Sequence, residues 1–278
     1  MHILKGYTKQ EISWMMYDWA NSAHSVIIVT LLPIFFDTVA GYTADSVSSM
    51  STWGYATSIA MLIVALAAPF LGVFGDIRGM RKKLFSFFML LGVAACAGMA
   101  FTPGMDFTSG PVAAGKVASL ILVLYIVSVI GFDASAIYYD AFLTDVTTED
   151  RMDKVSTMGY GLGYIGGSTI PLLIFLIMNL VGVPMLTCLA FVFGLTAVWW
   201  LAFSLPLLKN CEQTSGKPYE KGDVARSMKG VGTTIKEIIA NKPMLIYILS
   251  YFFYIDGVHT VISMATTYGT NLGLDSTG

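Results

Sequence analysis

Charge is scarce in this sequence. Asp, Glu, Lys and Arg make up 12% of its 278 residues, where a soluble domain carries about a quarter. Hydrophobic residues make up 55%, and the mean hydropathy is +0.70. The chain therefore belongs to the membrane class before any motif is read. Cysteine is scarce as well. Cys96 and Cys188 lie in apolar runs and Cys211 in a polar loop, with no CxxC and no Cys/His cluster. That argues against a disulfide framework and against a metal site. Walker A, HExxH and GxSxG strings are missing, so no ATP cradle, zinc peptidase or serine hydrolase is encoded here. No cofactor and no nucleic-acid partner is expected. A cleavable signal peptide is not expected either: Lys5 and Lys9 precede an apolar run that is too long and lacks a small-residue cleavage site.

What the chain has is long apolar runs. A helix crossing a bilayer needs about 20 mostly apolar residues, and seven segments qualify: 14–39, 53–76, 84–103, 117–143, 158–180, 184–208 and 243–268. Residues 209–242 are polar and charged, with Gly216, Pro218 and Gly222, and separate six spans from the seventh. Of the 16 Lys and Arg, all but Lys116 fall on one side of this alternation. They cluster before span one, between spans two and three, between four and five, and between six and seven. The positive-inside rule makes that side, and the N-terminus, cytoplasmic.

Between spans two and three stands GVFGDIRGMRKK. A plain reading is a basic turn anchored on the inner leaflet. Gly72, Asp76, Gly79, Arg81 and Lys82 also match G-x-x-x-D-x-x-G-x-[RK]-[RK], and in this the chain resembles the major facilitator superfamily, which carries that signature in this loop. Ile77 departs from the pattern, which commonly has Arg there. The resemblance implies an all-α membrane protein whose two six-helix halves rock about a central site. Residues 1–208 are then the N-terminal six-span half, 209–242 a cytoplasmic inter-half loop, and 243–278 the first span of a second half that is cut off. Asp76 and Arg81 would resemble the cytoplasmic gate that latches the halves together.

A narrower resemblance is spread over nearly the whole chain. SWMMYDWANSA (13–23), YYDAFLTDV (138–146), GYGLGYIGG (159–167) and YFFYIDGVHTVISMATTYG (251–269) look together like the branch that includes the fungal autophagy-related vacuolar amino-acid effluxer and its bacterial relatives. His24 stands where those relatives commonly have an aromatic residue, so no family role is carried onto it.

Polar groups inside the spans mark the candidate pathway for a solute or proton. Asp18, Asp133, Asp140 and Asp256 fall in apolar segments, Asp140 nearer the cytoplasmic end of its span. A carboxylate at mid-bilayer costs about 2.5–3.5 kcal/mol on insertion scales. These acids must therefore face the bundle interior or a water-filled cavity, either as packing hydrogen bonds or as a functional set. Asp18, Asn21 and Ser25 recur at i, i+3 and i+7 on one helix face, with His24 on its flank. Asp256 and His259 repeat the arrangement in span seven. A protonatable Asp and His in one cavity suit proton coupling, although a single membrane His more often satisfies one packing bond.

GLGYIG, 161–166, imitates a nucleotide fingerprint, but no strand precedes it. Gly159, Gly163 and Gly167 instead form a small-residue stripe for close helix packing. Pro33, Pro69 and Pro171 fall inside spans and are expected to loosen them. In the long loop, Met228, Val231, Ile235, Ile238 and Ile239 among Lys residues fit an amphipathic helix on the inner leaflet or a solvated linker helix. EDRMDK, 149–154, reads as a solvated turn with room for gate salt bridges.

The function expected is secondary transport of a small solute by alternating access, coupled to protons or running down a gradient, with amino acids or short peptides favoured. The partners are that solute, protons and the bilayer, and the full-length protein is expected to be a monomer in a membrane, the bacterial inner membrane favoured. A non-transporting sensor or scaffold is the alternative. An intramembrane aspartyl protease is a weaker one. Tyr17–Asp18 and Tyr139–Asp140 supply its Y-D strings, but no G-x-G-D is present, and the chain is read as no enzyme.

Overall fold

The computed structural model describes residues 4–43, 49–218 and 222–272. Lys221 and residues 273–278 lie outside the described residues, as do the side chains of Arg226 and Met228. Among the described residues the chain is helical throughout, apart from loops and one isolated bridge between Ile77 and Lys217. The helices are α1 (Lys9–Ala40), α2 (Ser49–Gly75), α3 (Arg81–Met99), α4 (Pro111–Val146), α5 (Met152–Leu162), α6 (Thr169–Leu180), α7 (Met185–Asn210), α8 (Asp223–Ala240) and α9 (Lys242–Asn271). Among the described residues, seven stretches are long and apolar enough to cross a membrane, and they coincide with the seven expected spans. The protein is a multi-pass integral membrane protein.

Local chemistry explains where helices begin. Thr8 and Glu11 form a capping box: the Thr8 hydroxyl accepts from the Glu11 N–H at 3.1 Å, and Glu11 Oε2 accepts from the Thr8 N–H at 2.7 Å. Pro111 opens α4 at a position where its missing N–H is harmless. The turn between α2 and α3 passes through Gly79 at φ +79°, a left-handed conformation that glycine adopts without a Cβ clash.

α1 is the axis of the bundle: 56% of its apolar window is buried, against 11% for α2. Around it α3, α4 and α7 contribute the large core rings Phe85, Tyr138, Phe142, Phe193 and Trp200. The α3–α4 crossing is close because glycine meets glycine. A Cβ at Gly131 would lie 2.7 Å from the Gly92 Cα. Without a hydrophobic drive between spans in lipid, such small-residue contacts supply the packing.

Span five differs from the regular helix that a four-residue glycine spacing implies. Residues Gly163–Ser168 form a π-helical turn between α5 and α6. Such bulges insert an extra residue per turn. The glycine stripe still faces α1. A Cβ at Gly159 would meet Trp14, Met15 and Asp18, and one at Gly163 the Ser22 hydroxyl at 2.6 Å. One at Gly167 would meet the Trp19 carbonyl at 2.5 Å.

α9 stands apart, with none of its apolar window buried. It touches α1 and α2 along one edge, where Met264 packs against Gly54 at 3.7 Å from an added Cβ. α8 meets α2 and α9, with Val231 and Ile238 half-buried and Ile235 and Ile239 exposed.

Candidate functional site

The polar string at 17–24 is divided between two environments. Tyr17 is fully buried; its hydroxyl hydrogen-bonds the Ser135 hydroxyl at 2.8 Å and accepts from Trp200 Nε1 at 3.4 Å. Asp18, the next residue, turns toward α4, where the Tyr139 hydroxyl donates to its Oδ2 at 2.8 Å. The Tyr139 ring is clamped by Trp14, stacked at 4.3 Å, and the Trp14 indole N–H donates to the Tyr139 carbonyl at 2.9 Å. Asp140 is exposed and close enough for the two carboxylates to act on each other. Both also act on Tyr160 of α5, whose ring lies 5.3 Å from that of Tyr164. The result is an acidic, tyrosine-rich cluster drawn from α1, α4 and α5.

Asp133 sits two turns from Asp140 on the same helix. Its Oδ2 is buried without a hydrogen-bond partner among the described residues. Asn21 is buried in α1. His24 occupies a different setting, 3% exposed, with its ring stacked on Phe132 at 4.8 Å and tilted against Trp200 at 5.0 Å. Neither ring nitrogen has a partner among the described residues. Asp256 and His259 lie exposed on α9. The described structure brings together Asp18 and Asp140, and leaves the α9 pair facing outward.

The signature loop forms a second polar centre, at the end of the bundle where Arg and Lys crowd. Here Arg81 is held mainly by an acid outside the motif. Arg81 is nearly buried, yet the Asp76 carboxylate stands 3.9 Å away with its side chain 84% exposed. The partner of Arg81 is Asp145, at the end of α4, whose side chain is 0% exposed. Arg81 Nη1 also donates to the Ala141 carbonyl at 2.9 Å and to the Ser215 hydroxyl at 3.1 Å. Lys82 Nζ donates to the Cys211 carbonyl at 3.0 Å. Removing either partner of this nearly buried Arg81–Asp145 pair would strand the charge of the other. Gly72 has open space around it. Arg151, in the turn read as solvated, pairs instead with buried Glu11.

A sequence model of the family described as "Vacuole effluxer Atg22 like" matches residues 40–151 and 144–276. The chain belongs to that Atg22-like family. A protein of Bacillus subtilis (strain 168), described as the uncharacterized MFS-type transporter YxiO, is 40% identical over 282 residues, covering 99% of this chain and 63% of its own length. Autophagy-related protein 22-1 of Penicillium rubens is 26% identical over 125 residues, and its namesake in Sclerotinia sclerotiorum 26% over 131, each covering 41% of this chain. The chain thus spans less than two thirds of the length of these curated relatives. Membership agrees with the all-α, major-facilitator reading of the signature loop and the seven spans.

Several residues of this Atg22-like chain gain a structural role that sequence reasoning did not give them. Tyr139 and Asp145 lie inside the string YYDAFLTDV, and Tyr160 and Tyr164 inside GYGLGYIGG. Glu11 was not singled out in the sequence. Gln213, Thr214 and Ser215 carry no motif.

Proposed function

We propose that the protein is a secondary transporter that moves a small, amine-bearing solute across a membrane, amino acids or short peptides favoured, by alternating access. The observation that carries this reading is the Asp18–Tyr139 hydrogen bond beside Asp140 and the exposed Tyr160 and Tyr164 rings. Lipid rejects a carboxylate, so acids on α1 and α4 persist where they meet water, a solute or a proton. Carboxylates attract an ammonium group, and tyrosine faces stabilise it further through cation–π contact. Asn21 and Asp133 extend the polar lining, and the unpartnered Asp133 Oδ2 is available to a proton or a solute donor.

In this reading residues 1–208 form one half, 209–242 join the halves, and 243–278 begin the second half. Asp256 and His259 of α9 then face the cavity once that half is in place. His24 is the weakest member of the set, because its ring is held among Phe132 and Trp200. Proton coupling follows from acids that alternate between water and a solute. The excess of Arg and Lys at the signature-loop end supports a cytoplasmic N-terminus, and the short loops favour a bacterial inner membrane.

The test is solute-driven proton movement in proteoliposomes of the full natural chain, screened over amino acids and short peptides and repeated with Asp18→Asn. A solute that moves protons in the unmodified protein, but not in Asp18→Asn, is the expected result. Solute movement without protons withdraws the coupling. No movement across a broad panel by folded protein replaces transport with a sensor or scaffold role.

A further inference from the structure

The segment that leaves α7 does not behave as a free linker. The Gln213 side chain bridges two helix ends: Oε1 accepts from the N–H of Gly79 at 2.8 Å and of Arg81 at 3.3 Å, and Nε2 donates to the Gly75 carbonyl at 3.1 Å. It supplies the cap that Met80, at the start of α3, does not. Thr214 and Ser215 then close on Asp145. Its Oδ1 accepts from the Thr214 N–H at 3.1 Å and hydroxyl at 2.9 Å, and from the Ser215 N–H at 2.9 Å and hydroxyl at 2.7 Å. Asp145 Oδ2 remains with Arg81. Two backbone bonds finish the strap: Lys217 N–H to the Asp76 carbonyl at 3.2 Å, and Arg78 N–H to the Lys217 carbonyl at 3.0 Å.

Three features make this a built contact. The strap satisfies backbone groups at the end of α2 and the start of α3 that the turn itself leaves open. It requires Gly216 at φ +109°, where a Cβ would lie 2.8 Å from the Asp76 carbonyl. It also covers the Arg81–Asp145 pair, because the hydroxyl of Ser215 touches both partners. Yet Thr214, Ser215, Gly216 and Lys217 are themselves exposed. A contact that is well bonded but lies on the surface opens at lower cost than the core.

We propose that residues 213–217 are a latch on the signature-loop end of the bundle, and that Gln213, Thr214 and Ser215 are positioning residues that hold the Arg81–Asp145 pair in its closed arrangement until the cycle releases it. This rests on the transport reading given above. The chain continues from the strap into α8, and only Asn241 separates α8 from α9. Movement of α9 against the first six spans would reach the strap along this stretch of chain. The latch couples that movement to the gate through the covalent chain, with no contact between the gate and α9 required.

Cys211 reports on the latch. It opens the strap, is fully buried, and its thiol lies 3.6 Å from the Gln10 carbonyl. Burial pushes that thiol up to about 12, so it stays unreactive while the strap is closed. The experiment is alkylation of the full natural chain in nanodiscs by a membrane-impermeant maleimide, read residue by residue by peptide mass spectrometry. Thr214→Val combined with Ser215→Ala should speed modification of Cys211 by about tenfold and leave Cys96 and Cys188 protected. Transported solute should speed it in the unmodified chain. Equal rates for the variant and the unmodified chain overturn the latch. Amide exchange needs no variant: the Thr214 and Ser215 N–H groups should be protected, and exchange at the rate of an unstructured peptide overturns the latch even where variants misfold. If solutes cross proteoliposomes and the variant matches the unmodified chain in rate and labelling, the latch falls and transport stands. If the variant unlatches but no solute crosses, the clamp stands and the transport reading falls.

Discussion

Glu11 and Arg151, 140 residues apart in the chain, meet fork to fork: Arg151 Nε donates to Oε1 at 2.8 Å and Nη2 to Oε2 at 2.9 Å. The pair joins the start of α1 to the turn before α5, and Thr147 adds a third donor at 2.6 Å. Its two ends are unequal. Glu11 is 1% exposed, whereas Arg151 is 32% exposed and reaches water.

That inequality fixes the order of two substitutions. Arg151→Ala strands a buried carboxylate and should lower stability by about 3 kcal/mol. Glu11→Gln keeps an acceptor for Thr8 and leaves the guanidinium able to turn to water, so it should cost about half as much. Thermal unfolding in detergent, read by intrinsic fluorescence, gives the order. Equal losses would show that the carboxylate is not the desolvated partner.

Asp145 and Asp76 give a second ordering. Asp145→Asn removes the charge that balances nearly buried Arg81, and should cost about 3 kcal/mol. Asp76→Asn touches an exposed carboxylate 3.9 Å from the same guanidinium, and its effect on stability should fall within measurement error. The same unfolding assay decides. A loss on Asp76→Asn as large as on Asp145→Asn would make Asp76 an equal partner of Arg81.

The contrast between these two acids shows what the sequence carried and what it did not. Asp76 was legible because it sits at a fixed offset from Arg81 in a short motif. Asp145 lies 64 residues from Arg81 and is chosen by the three-dimensional closure of α3 on α4, which no local spacing encodes. The spans were legible for the opposite reason: a helix in lipid satisfies its backbone locally, so about 20 apolar residues are a sufficient signal. The π-helical turn at Gly163–Ser168 was hidden because Gly159 before it and Gly163 and Gly167 within it all keep facing α1. The strap at 213–217 was hidden because its bonds go to Gly75, Gly79, Arg81 and Asp145, and its composition reads as a loop. Within the candidate site, Asp18 stood out as a charge in an apolar run, while Tyr139 did not, because a tyrosine in a span is unremarkable without its partner.

Gly131→Ala should be among the most damaging single-methyl changes in the chain. The added Cβ would meet backbone, the Gly92 N–H nitrogen at 2.5 Å and the Phe88 carbonyl at 2.8 Å, and backbone cannot rotate away. Overpacking costs about 1–3 kcal/mol in general, and this site belongs at the upper end. Gly115→Ala is the matched control on the same helix, with open space around it, and should be neutral or slightly stabilising because alanine is the better helix former. Folded yield and thermal unfolding measure both. Tolerance of Gly131→Ala would mean that α3 and α4 do not cross this closely.

His24 separates the two accounts of the polar string. As a proton carrier it needs a path to Asp18 or to water. In the structure its ring lies between Phe132 and Trp200, and both nitrogens are unpartnered among the described residues. A buried polar atom without a partner costs about 1–3 kcal/mol, and a phenyl ring keeps the stacking while removing that penalty. His24→Phe should therefore raise the unfolding temperature and leave solute-driven proton movement intact, whereas Asp18→Asn should abolish it. A folded His24→Phe protein that moves solute but no longer moves protons would return His24 to the pathway. The aromatic stack would then be a closed state of the ring and not its permanent place.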